Sequence, residues 1–234
     1  RWYIKNVDFR KTPSANDGIP YEKEVADRAK GCTFIVSVGM GLKLPQLTLA
    51  TATVYFHRFY LRRSLKEFHY YDMGATCILL ASKVEETGRK LRDIINVCAQ
   101  KAQKNDKLFL EENSKAVSSI QRIISSQEFQ RWKDTILYNE EVLLETLCFD
   151  LAVEHPYKIL LSLVKELRGS KKLAQTAWAF INDSLRSILC ITYPPQVVAA
   201  SALYVASRFL EETLTTTGTH GWWELIGVEF NDMQ

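Results

Sequence analysis

The 234 residues have room for one large domain or two small ones, and a 47% apolar content is enough to pack a core. The 30 basic and 27 acidic residues leave a net charge of +3, too balanced for a dedicated electrostatic nucleic-acid binder, whose Lys and Arg gather on one face. No apolar run approaches the roughly 18–20 residues of a membrane span and no secretory signal is recognisable, so the chain, which starts at Arg1, reads as a soluble intracellular core excised from a longer protein.

Residues 1–20 read as an N-terminal arm, with Trp2-Tyr3-Ile4 followed by the turn-rich Thr12 to Pro20. A helix is predicted from Tyr21 to about Met40, its stripe formed by Ala29, Cys32, Phe34, Ile35, Val36 and Val38 and its end marked by Gly39 and Gly41. Further helices are predicted over 46–63, 70–86 and from Asp93 to about Gln103. Residues 104–130 are polar and read as an insertion. A strong helix returns from Arg131 to Leu147, and Cys148 to Pro156 breaks it, because the residue before a proline avoids the helical region. The expected organisation is therefore the arm, a first unit over 21–150 and a second over 151–234. The second unit holds helices near 157–168, 171–189 and 195–211, then a Thr/Gly loop at 213–221 and a helix start at Trp222-Trp223. Strand-like alternation is nowhere sustained, so the fold class is all-α.

The two units echo each other. Ala75, Ala81, Ser82 and Lys83 recur as Ala200, Ala206, Ser207 and Arg208 at an offset of 125, and Leu49-Ala50 recurs as Leu173-Ala174 at 124. Such offsets imply a duplicated helical unit. In the 70–86 helix, Ala75, Cys77, Ile78, Leu79, Leu80, Ala81 and Val84 occupy the whole wheel, which describes a central helix surrounded by others, in a five-helix globule rather than a solenoid.

Two charges stand out against this pattern. Glu140 falls within the arc defined by Ile136, Leu137, Leu143, Leu144 and Leu147, where a carboxylate needs a cation, donors or an interface. Lys83 lies one turn beyond Leu79 and Leu80 in the most apolar helix, in a Lys-Val-Glu-Glu cluster that dipole complementarity does not explain, since Glu85 and Glu86 oppose it. Structural and interface roles are both open for the pair on these grounds. The five cysteines, Cys32, Cys77, Cys98, Cys148 and Cys190, form no C-x-x-C pair and read as small buried hydrophobes.

Ala81-Ser-Lys-Val-Glu-Glu86, Glu140 and Cys148-Phe-Asp150 resemble the hallmarks of a cyclin box. Tyr55-Phe-His-Arg-Phe-Tyr60, Val153-Glu-His-Pro-Tyr157 and Ile181-Asn-Asp-Ser184 are similar to the transcriptional cyclins of the T and K type, a fungal-like T variant above all. The resemblance implies two tandem cyclin boxes, the second short of its final helix. It also implies a non-catalytic nuclear subunit that activates a cyclin-dependent kinase of the elongation type, which phosphorylates the RNA polymerase II C-terminal domain. Kinase contact is then expected from Lys83, Glu140 and Glu86 with the apolar Leu80, Val84, Leu144 and Phe149. No cofactor, metal or catalytic residue is implied. The Met-Arg-Ala-Ile-Leu docking motif of cell-cycle cyclins is absent; Ala26-Asp-Arg-Ala-Lys-Gly31 stands there.

Two other classes compete with this reading. As an enzyme the chain lacks H-E-x-x-H, a phosphate loop and a nucleophile elbow; His57 reads as a packing residue and His155-Pro156 as a helix-entry turn. As a DNA-binding general factor with two cyclin-like repeats, similar to transcription factor IIB, it would use Arg58, Arg62, Arg63, Lys66, Arg89, Lys90 and Arg92 on phosphates. Trp222-Trp223 reads as packing for the second unit rather than a partner anchor.

Overall fold

The computed structural model describes residues 2–3, 11–108, 125–214 and 221–233, and within them every regular element is helical. In chain order these are α1 (Pro13–Asn16), α2 (Tyr21–Gly41), α3 (Gln46–Tyr60), α4 (Tyr70–Val84), α5 (Leu91–Leu108), α6 (Ser126–Thr146), α7 (Pro156–Glu166), α8 (Lys171–Ser184), α9 (Leu189–Thr192) and α10 (Pro195–Phe209). Two 3₁₀ turns follow at Trp222–Ile226 and Phe230–Met233. The described residues form two compact units that part between Leu151 and Ala152, with Trp2 and Tyr3 grouped in the second.

The first unit is built round α4, which packs against α2, α3, α5 and α6. Its residues from Met73 to Ser82 are all buried, as a helix with apolar and small side chains on every side requires. Close approach is extreme between α2 and α3: a Cβ at Gly31 would overlap the Phe56 ring, and one at Gly39 the Leu49 side chain. Gly39, which the sequence suggests as a helix end, lies within α2 and serves packing. Val36, placed on the core stripe by its spacing, is 38% exposed.

Residues 12–17 of the arm form a capped turn. Thr12 accepts from the Ala15 N–H at 3.1 Å as N-cap of α1, and its hydroxyl donates to Glu24. Glu24 in turn binds Arg28 at 2.7 Å with both side chains almost fully buried, and Arg28 also donates to the Tyr60 carbonyl at 2.6 Å. Burial pulls the guanidinium pKa below its ordinary value, against the opposing pull of the Glu24 carboxylate. One buried network thus ties α1, α2 and the end of α3 together.

The duplication is visible in the main chain. α7 ends as α2 does: Leu44 N–H reaches the Gly39 carbonyl and Gly169 N–H the Val164 carbonyl, both at 2.9 Å, with Lys43 and Arg168 left-handed at φ 53° and 52°. α10 ends as α4 does. Thr87 N–H reaches the Ser82 carbonyl and Glu212 N–H the Ser207 carbonyl, both at 2.9 Å, with Glu86 and Glu211 at φ 54° and 53°. These are Schellman stops, spaced by the same offset as the sequence repeat. α8 starts 125 and ends 124 residues beyond α3, being one residue shorter.

Where the helices depart from expectation, the ends are responsible. α5 runs on to Leu108 and α6 starts at Ser126, where Ser125 caps the Glu128 N–H at 3.1 Å, so the polar stretch 104–130 is helical at both margins. Its centre lies outside the described residues. The 171–189 helix divides into α8 and the one-turn α9. Trp222 is buried and its ring lies 5.6 Å from that of Trp223, which meets Phe230 at 5.0 Å, so the tryptophans do pack the second unit.

Two substitutions probe these features. Arg28→Ala leaves the Glu24 carboxylate buried and unpaired and is expected to cost about 3–5 kcal/mol in urea unfolding. Arg168→Gly, at an exposed left-handed position, is expected to raise stability by up to about 1 kcal/mol in the same measurement.

Candidate functional site

α4 leaves the core in its last turn. Ala81 and Ser82 are buried, while Lys83 and Val84 reach solvent. The Lys83 ammonium donates to both oxygens of Glu140 on α6, at 2.7 and 2.8 Å. The expected pair therefore forms, but not in the core, since the lysine side chain is 54% and the glutamate 15% exposed.

This corrects the reading of α6. Its core face is Trp132, Ile136, Asn139, Leu143, Thr146 and Leu147. Leu137, counted in the buried arc from sequence, is 44% exposed, and Leu144 is half-buried. The helix carries two apolar stripes, and Glu140 stands between them. The second stripe explains why sequence reasoning places the carboxylate inside the protein and leaves Leu137 out of the candidate site.

Apolar surface surrounds the pair. Val84 adjoins Lys83, Leu137 and Leu144 lie one turn to either side of Glu140, and Phe149 is 68% exposed. Phe149 owes its position to the stop of α6. Its N–H reaches the Leu144 carbonyl at 3.0 Å, while Cys148 and Phe149 are both left-handed, which turns the ring outward. Leu80, one turn before Lys83, is buried. Glu86 is exposed at the left-handed stop of α4 and makes no described contact with the pair. Glu85, whose place at a helix end the dipole does not explain, accepts from the Thr51 hydroxyl at 2.7 Å and fastens the end of α4 to α3. Exposed Val84, Leu137 and Phe149 beside a bidentate ion pair form a surface suited to covering by a partner.

Some of the remaining candidates find structural work, whereas Lys66, Lys90 and Arg92 are exposed. Arg58 is buried and donates to the Asp150 carbonyl, Arg62 donates to the Thr146 carbonyl at 3.0 Å, and Arg89 donates to the carbonyls of Leu42, Lys43, Thr87 and Gly88. These three guanidinium groups brace loops. His57 is buried against Cys32, its Nε2 3.3 Å from the sulfur. Cys148, read from sequence as buried, is exposed because of the α6 stop, and its sulfur accepts from Arg62 at 2.8 Å. Among the described residues no cluster of His, Cys, Asp and Glu could hold a metal ion.

The matching face of the second unit is different. Val205 and Phe209, in register with Leu80 and Val84, are 44% and 72% exposed. Among the described residues α10 packs on α7, α8, α9 and the last 3₁₀ turn, with no helix placed as α6 is against α4. Arg208 is exposed, and Glu212 is occupied in binding Ser170 at the start of α8.

As an exposed pair, Lys83–Glu140 adds little to the stability of the free protein. Lys83→Ala is expected to change the unfolding free energy by no more than about 1 kcal/mol, measured by urea denaturation.

A family model described as "Cyclin, N-terminal domain" matches residues 2–152, and one described as "Cyclin-T2-like, C-terminal domain" matches 155–231. The chain is 49% identical to cyclin pch1 of Schizosaccharomyces pombe over 100% of its length and 66% of that protein's. It is 39% identical to cyclin-T1-3 of Oryza sativa over 97% of its length, and 37% identical to human cyclin-K over 95%. The chain spans 45% of the rice protein and 37% of the human one. Among solved structures it is similar to a chain of the yeast RNA Pol II CTD kinase CTDK-1 complex, with TM-score 0.76 and 20% identity over 100% of this chain and 69% of that one. A chain of the yeast TFIIK (Kin28/Ccl1/Tfb3) complex gives TM-score 0.63 at 21% identity, over 90% of this chain and 86% of that one.

Proposed function

The chain belongs to the cyclin family, as a transcriptional cyclin of the T/K type, and from that membership we propose that it is the regulatory subunit of a nuclear cyclin-dependent kinase. The kinase in this reading is of the elongation type and phosphorylates the RNA polymerase II C-terminal domain. The observation that carries the reading is the Lys83–Glu140 pair set among Val84, Leu137, Leu144 and Phe149 on open surface. A relative of this chain, cyclin-K, and a chain of similar fold from a CTD kinase complex support the choice of partner.

The mechanism is activation by positioning. A protein kinase needs the ion pair between its β3 lysine and its C-helix glutamate, and that pair forms only when the C-helix is held inward. The apolar residues of the patch pack on the kinase helix while Lys83 and Glu140 bond main-chain groups about it. In the complex these charges lose water, so a pair worth little in the free protein gains weight. ATP and magnesium belong to the kinase, and the cyclin performs no chemistry.

Lys83→Ala and Glu140→Ala are each expected to weaken binding to a recombinant elongation-type kinase subunit by about 2–5 kcal/mol, the cost of truncating one partner of a desolvated charge pair. Phosphorylation of a C-terminal-domain repeat peptide should fall with it. Wild-type affinity and activity in both variants would remove the assignment.

A further inference from the structure

The outward side of α6 carries a feature that the ion pair does not use. Proceeding round the helix from Glu140, away from the core, come Leu144 and Leu137, then Glu141, Asp134 and Glu145, and last Tyr138, by the turn of about 100° per residue. Leu137 is 44% and Tyr138 64% exposed, and the three carboxylates are exposed as well.

This arrangement is unfavourable in the free chain. Glu141 and Glu145 are like charges one turn apart, a spacing that destabilises a helix. Glu145 also stands in the last turn, where the helix dipole disfavours an anion. Asp134 accepts from the Gln130 side chain at 2.7 Å, and among the described residues neither Glu141 nor Glu145 has an ion-pair partner. Arg131, one turn before Asp134, is directed to Asp72 at 3.5 Å instead. The strip is also continuous with the kinase-docking patch, because Leu137 and Leu144 border both.

We propose that Leu137, Glu141 and Glu145 form a second track of the kinase interface, which takes a basic segment of the kinase subunit beside the helix held by Lys83 and Glu140. This rests on the kinase-binding reading. The leucine extends the apolar contact past the ion pair, and the carboxylates supply the complementary charge that the free helix leaves unpaired. Charges at such a rim act mainly on the association rate and on its dependence on salt. The strip thereby selects among kinases that share the C-helix geometry, favouring those with Lys or Arg in the adjoining segment.

The test is stopped-flow association of the full chain with a recombinant elongation-type kinase subunit, across a range of salt concentrations. Glu141→Lys with Glu145→Lys is expected to slow association about tenfold at low salt and to flatten the salt dependence. Circular dichroism melts serve as the folding control, and these surface changes should leave them intact. If Lys83→Ala and Glu140→Ala weaken binding while the α6 strip variants keep wild-type rates and salt dependence, the second track is overturned and the kinase reading stands. If none of the variants alters binding, the kinase reading has failed and the track falls with it.

Discussion

Everything in the first unit depends on the burial of α4 from Met73 to Ser82. A helix with no solvent face cannot be placed by amphipathicity; it must be enclosed, and α2, α3, α5 and α6 do so. Small residues along its length, Gly74, Ala75, Ala81 and Ser82, let those neighbours come close. The enclosure ends within one turn, at Lys83. What surfaces there is fixed by the packing below it, because Leu79, Leu80 and Ser82 are held in the core. Lys83 and Val84 are therefore the exposed end of a buried rod.

The same logic explains why an ion pair is found at this edge. Glu140 lies on the seam where α6 turns from core to solvent, partly shielded, and Lys83 supplies both carboxylate oxygens with a donor. A deeper pair would carry a desolvation penalty in the free protein, and a fully exposed one would bring no fixed geometry. At the seam, orientation is set while the lysine keeps much of its water.

Much of this is legible in the sequence. The apolar run from Ala75 to Val84 announces an enclosed helix, and the recurrence at 125 announces a repeated unit. Lys83 and Glu140 stand out as charges against an apolar pattern, and they do meet. The depth of Glu140 is not legible, because two apolar stripes on α6 average to a single direction that points through the carboxylate. Nor are the helix ends. Lys43, Glu86, Cys148, Arg168 and Glu211 all take the left-handed conformation that glycine usually fills, so composition does not mark the stops. α1 and α9, each one turn long, are too short for any periodic signal.

The paired stops at Lys43 and Arg168, and at Glu86 and Glu211, bear on how the two halves of the chain diverged. Each stop is closed by main-chain hydrogen bonds, which any side chain able to bear the left-handed conformation leaves intact. What the two halves share is thus the path of the backbone and the small buried residues of α4 and α10, Ala75, Ala81 and Ser82 with Ala200, Ala206 and Ser207, while larger core side chains differ. The buried Phe34 of the first half is answered at the offset of 125 by Ile159, and the buried Phe59 and Tyr60 are answered at 124 by Asp183 and Ser184. A fold copied through its joints can change its filling without losing its course.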